Sequence, residues 1–128
     1  MTDHPMPAGL EFPEPLTLPA LQRHGQAVCD YFKFTKDDGQ IFLLLMEEVG
    51  ELAKAIRKVK RLHEEQNNPA KPNLSEEERR ENLGDEFADV MAYLFDLANR
   101  FDINLEDAYR KKMSANTRRE WALDQTSV

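Results

Sequence analysis

Four carboxylates stand at spacings that a helix would turn into a cluster: Glu48 and Glu51, then Glu86 and Asp89. Each pair is spaced i, i+3, which places both members on one surface of a helix. On a wheel turning about 100° per residue, Leu45, Val49, Leu52, Ile56 and Val59 form an apolar stripe, and Glu48 and Glu51 border it on one side. A second stripe, Leu83, Phe87, Val90, Leu94 and Leu97, carries Glu86 and Asp89 at the same places. The two segments are copies of one design. Leu45–Leu52 aligns with Leu83–Val90, and the acids match as Glu47 with Asp85, Glu48 with Glu86, and Glu51 with Asp89. If the stripes pack antiparallel, the acidic edges converge. Carboxylates crowded beside a core repel one another and resist desolvation, so a cation belongs between them. Oxygen donors without His or Cys favour a hard ion, Mg²⁺ or Mn²⁺, over zinc. A di-iron centre would want Glu-x-x-His on such helices; neither copy has one, and His63 lies too far along the chain. A solvated acidic edge is the ordinary explanation of a lone Glu-x-x-Glu. The duplication brings the metal reading level with it, and both stay open on pattern alone.

The elements that must position these acids are helices. The pattern predicts a first helix from about Pro19 to Phe34, with Pro19 in its first turn and Gly25 inside it. A second follows Asp38 as N-cap and runs to about His63. Residues 64–74, rich in Asn and Pro, read as a loop. A third opens on the capping box Ser75 to Glu78 and runs to about Arg100. A fourth runs from the cap Asn104 to about Glu120. No stretch alternates with period two, so no sheet is expected. The expectation is an all-α antiparallel four-helix bundle. It divides into an extended Pro-containing arm at 1–16, a helical domain at 17–121 and a polar tail at 122–128.

With 128 residues, one domain is expected. The charge of −7 speaks against a nucleic-acid binder, although a metal would let an acidic protein take a triphosphate. Cys29, the one cysteine, fits a reducing cytoplasm. The N-terminal stretch has no signal-peptide pattern. The longest apolar run, Ile41–Met46, is too short to cross a membrane. That run is apolar on all sides of its helix, and four helices offer little to cover it. An identical partner is the expected cover, in a homodimer or homotetramer.

Glu47-Glu48-Val49-Gly50-Glu51 followed by Glu86-Phe87-Ala88-Asp89 resembles the signature of the all-α nucleoside-triphosphate pyrophosphatases, the MazG-like proteins and their dUTPase and dCTP-pyrophosphatase relatives. Lys112-x-x-x-Asn116-x-x-Arg119 is similar to a pattern on their C-terminal helix, so the resemblance covers Gln40 to Arg119. It implies that Glu48, Glu51, Glu86 and Asp89 hold Mg²⁺, with Mn²⁺ as a substitute. It implies water attack on the α-phosphorus of a nucleoside triphosphate, releasing the monophosphate and pyrophosphate, with Glu47 orienting or deprotonating the water. Clearing unwanted nucleotides from the pool would be the purpose, and dimers or dimers of dimers the usual assembly. Two features depart from the family: the span between Glu51 and Glu86 is long, and the base-stacking Trp of the first helical region is missing. Trp121 is the one tryptophan, so Tyr31, Phe32 or Phe34 would have to stack on the base.

Basic residues suit a phosphate tail. Lys58 lies about two turns beyond Glu51. Lys112, Asn116 and Arg119 share one helical face, and Arg119 could fork two phosphate oxygens. The helix dipole favours cations near a C-terminus in any case. Two other functions fit the same acids: a phosphoribosyl-ATP pyrophosphohydrolase, and a non-enzymatic helical interaction module.

Overall fold

In a computed structural model the described residues are 6–60 and 74–119, and among them the chain forms four helices and no strand. The all-α expectation holds. Helix α1 spans Leu18–Phe32, and Thr17 Oγ1 caps it by accepting from the Ala20 N–H at 3.3 Å. It ends short of the expected Phe34 because Lys33 turns left-handed at φ 54°, and the Phe34 N–H donates to the Cys29 carbonyl at 3.1 Å.

Helix α2 spans Asp38–Lys60. Its cap is Asp37, not the expected Asp38: Asp37 Oδ1 accepts from the Gln40 N–H at 2.8 Å, and Gln40 Oε1 accepts from the Asp37 N–H at 2.9 Å. This reciprocal pair does the work of a capping box. Asp38 is thereby left to pair with Arg100 at 3.2 Å. Helix α3 spans Glu76–Arg100 and opens on the expected capping box, with both the Ser75 and Glu78 bonds present. Helix α4 spans Leu105–Thr117, capped by Asn104 as expected, and stops short of Glu120. The expected helix end at His63, all of the 64–74 loop but Leu74, Trp121 and the tail 122–128 lie outside the described residues.

Helices α2 and α3 make the main packing, and they run antiparallel, since Asp38 at the start of α2 meets Arg100 at the end of α3. Helix α1 packs on α3, and α4 packs on α1. One buried amide ties these together. Gln22 Nε2 donates to Asn99 Oδ1 (3.1 Å) and to the Ile103 carbonyl (2.8 Å), while Gln22 Oε1 accepts from the Leu105 N–H (2.8 Å). Saturated in this way, a buried polar group fixes α1 against the α3–α4 turn instead of costing stability. The arm lies along α1: Leu10 is buried, His24 Nε2 donates to its carbonyl at 2.8 Å, and Phe12 stacks on the His24 ring.

The apolar stripes are only half used. Leu45 is buried and Leu52 and Val59 are half-buried, but Val49 and Ile56 stay 41% and 40% exposed. On α3, Leu83, Val90 and Leu97 are half-buried, whereas Phe87 and Leu94 stay 50% and 45% exposed. The α2–α3 seam is therefore turned toward the acidic side of each stripe, and the other flank is left open.

Candidate metal centre

That rotation brings the acids into the seam. Glu48 of α2 and Glu86 and Asp89 of α3 each place one carboxylate oxygen within 4.8 Å of the others. Leu45 and Leu52 lie one turn before and after Glu48, and Leu83 and Val90 do the same for Glu86, so packing of these apolar side chains sets the height of both acids. Glu48 and Glu86 are half-buried, and Asp89 opens to solvent. Glu86 Oε2 is shut off from water and has no hydrogen-bond partner among the described residues. A buried oxygen left bare costs on the order of 1–3 kcal/mol, more when charged. The Glu48 carboxyl is pushed above its ordinary value, first by burial and then by the charges of Asp89 and Glu86.

The donor set fits a divalent cation. It is all oxygen, it carries excess negative charge, and one oxygen lacks a partner. Around octahedral Mg²⁺, opposite ligand oxygens are about 4 Å apart and adjacent ones about 3 Å, so a group spread over up to 4.8 Å would draw together by rotation of its side chains to hold the ion.

Not every expected residue joins this group. Glu51 lies outside it and is exposed, although its charge still acts on Glu48. Glu47 is exposed on α2, and Lys58 is half-buried farther along the same helix. Lys112 is exposed and Asn116 half-buried on α4, which packs on α1, and Arg119 is exposed just past the end of that helix. The aromatic residues at the end of α1 do gather: Phe32 stacks on Phe34 at 5.7 Å, Tyr31 meets Phe32 edge-on at 4.9 Å, and all three are exposed.

Sequence reasoning missed Tyr93. It sits one turn after Asp89 and is half-buried on the seam. Burial first, then the charges of Glu48, Asp89 and Glu47, raises its hydroxyl pKa and keeps it protonated, a hydrogen-bond donor beside the acids. The i, i+4 spacing from Asp89 was the available signal, but a tyrosine on a core helix reads equally well as packing.

A model of the MazG nucleotide pyrophosphohydrolase domain matches residues 38–122. The chain belongs to the MazG nucleotide pyrophosphohydrolase family. Neither a curated protein nor a solved structure shows a significant match to it. The MazG stretch begins at the first residue of α2 and contains all three clustered carboxylates. It supports a pyrophosphohydrolase acting on nucleotides, a family that generally uses a divalent metal, and the Glu48, Glu86 and Asp89 group is one that could hold it. Among the described residues, no helix is long and apolar enough to cross a membrane.

Proposed function

We propose that this protein hydrolyses nucleoside triphosphates to the monophosphate and pyrophosphate with Mg²⁺, Mn²⁺ serving as a substitute. The observation that carries this reading is the bare, water-shielded Glu86 Oε2 within the Glu48–Glu86–Asp89 group, inside a MazG domain. Glu51 is the fourth ligand in this reading, its exposed side chain turning into the group. When bound, the cation offsets the charge of the phosphates and lowers the pKa of a bound water. Glu48 holds a proton more readily than an ordinary carboxyl until a cation displaces it. Glu47 orients or deprotonates the attacking water from the exposed edge. Tyr93 donates to an acid or to a phosphate oxygen.

Lys58 receives the outer phosphates, and helical side chains lean toward the N-terminus, which aims it back at the carboxylates. Lys112, Asn116 and Arg119 take part once the assembled protein brings an α4 helix to the cluster. The Tyr31, Phe32 and Phe34 group offers a flat surface on which a base can stack. A reducing cytoplasm, where nucleotide pools are kept, suits the free Cys29.

The test is a panel of nucleoside triphosphates, diphosphates and phosphoribosyl-ATP in Mg²⁺, with products separated. Pyrophosphate and a nucleoside monophosphate are expected. Orthophosphate and a diphosphate would contradict the reading, and cleavage of phosphoribosyl-ATP alone would reassign the substrate.

A further inference from the structure

We propose that Arg79 and Asn82 of α3, with Lys58 of α2, form an anion seat for the outer phosphates and the departing pyrophosphate, so that the site reads the third phosphate of its substrate. It rests on the proposed hydrolysis at the carboxylates and adds the residues that choose a triphosphate over a diphosphate.

Helix register places the three residues. The Asp38–Arg100 pair and the meeting of Glu48 with Glu86 and Asp89 fix α2 against α3. Continued along the antiparallel pair, that register sets Ala55 level with Asn82 and Lys58 level with Arg79, to within about a turn. On a wheel with Leu83 at zero, Asn82, Glu86 and Arg79 fall at about 260°, 300° and 320°, so all three share the acidic side of α3. A rise of about 1.5 Å per residue puts Asn82 about 6 Å and Arg79 about 10 Å along the axis from Glu86. Both are half-buried, as is Lys58, whose side chain leans back along α2 toward Glu48. Negative, neutral and positive groups thus follow one another along one edge. A phosphate chain held by a cation at its inner end meets them in that order.

Arg79 carries a bare donor. Its Nη1 donates to the Leu74 carbonyl, which holds the guanidinium in place, while its Nε is shut off from water and has no hydrogen-bond partner among the described residues. A buried donor left bare costs stability, and more so on a charged group. The helix dipole gives no reason for this cation, because Arg79 stands near the N-terminus of α3, where positive charge is disfavoured. Lys58, in the last turn of α2, does have that reason. An anion that arrives with the substrate supplies the missing acceptor, and a guanidinium can fork two phosphate oxygens. The nearby acids are engaged elsewhere. Glu78 is held by Ser75 in the capping box, Glu76 pairs with the exposed Arg80, and Glu77 and Glu81 fall on the outer face.

The test pairs calorimetric binding of inorganic pyrophosphate in Mg²⁺ with steady-state kinetics on a nucleoside triphosphate and its diphosphate, all on the full chain. Arg79→Gln should weaken pyrophosphate binding and raise the triphosphate KM by roughly tenfold or more, with a much smaller change in kcat. The preference for triphosphate over diphosphate should shrink by a similar factor, and the gain in melting temperature with Mg²⁺ should stay. Asn82→Ala, which favours the helix, should weaken pyrophosphate binding by roughly threefold or more, and it decides alone if Arg79→Gln unfolds. Arg80→Gln, on the exposed neighbour, should behave as wild type. Wild-type pyrophosphate affinity in Asn82→Ala and in a folded Arg79→Gln, beside normal triphosphate turnover, would overturn the seat and leave the hydrolysis standing. An equal loss in Arg80→Gln would overturn it too, since general charge would then explain the effect. A wild type that neither binds pyrophosphate nor cleaves triphosphates would bring down the hydrolysis along with the seat.

Discussion

The α2–α3 pair has two sides with opposite chemistry. On one, Glu48, Glu86 and Asp89 hold carboxylate oxygens within 4.8 Å of one another. On the other, Phe42, Phe87 and Leu94 expose about half their surface with no charge among them. Both sides are unfavourable as they stand: the first crowds like charges, the second leaves apolar area in water. The comparison teaches that one repeated helix pattern creates two needs at once. The acidic side calls for a cation. The apolar side leaves large side chains about half exposed.

Amide substitutions break this comparison most sharply. Glu48→Gln, Glu86→Gln and Asp89→Asn should each lower nucleotide turnover by roughly a hundredfold or more, since a metal's charge stabilisation is worth several kcal/mol. Glu51→Gln should do the same if Glu51 is the fourth ligand. None of the four should change the mass or the helical circular dichroism. Near-wild-type turnover in any two would contradict the ligand set; in Glu51→Gln alone it would reduce the set to three.

A smaller effect follows from Glu48. Its pKa is raised in the folded protein, so between the ordinary carboxylate value of about 4.3 and that raised value the folded state holds more protons than the unfolded one. The contribution of Glu48 to metal-free stability is therefore full below that window and is lost as pH rises through it. Partial exposure keeps the effect modest. Thermal melts in chelator should show Glu48→Gln equal to wild type at low pH and more stable than it at neutral pH. A gap that closes with rising pH would oppose the crowding of charge at this carboxyl.

Helix identity was legible in the sequence because its signals are local. Ser75 with Glu78, and Asn104 with Asp107, state where a helix starts, and the structure has both caps. The convergence of Glu48 with Glu86 and Asp89 was legible because the same spacing occurs twice. Periodicity gave the stripes but not how they are turned: Val49 and Phe87 belong to the expected core face and are 41% and 50% exposed. A wheel ranks positions around one helix and says nothing of what lies opposite. The Asp37 cap was missed for a similar reason, since Asp37 and Asp38 are equally good caps and only the reciprocal bond to Gln40 decides between them. Lys112 and Asn116 share a face of α4, but the helix ends at Thr117 and leaves Arg119 beyond it, and α4 packs on α1, a choice that no local pattern encodes.

The most direct measurement compares thermal melts of wild type and Glu86→Gln, in chelator and in Mg²⁺, at constant ionic strength. An ion that binds only the folded state adds about 2.7 kcal/mol at a hundredfold excess over its Kd. Wild type should gain stability of this order with Mg²⁺. Glu86→Gln should lose most of that gain while being no less stable in chelator, because the substitution removes a crowded charge from the seam. Equal responses to Mg²⁺ in the two proteins would show that Glu86 is not a ligand and would contradict the cation site at the centre of the account.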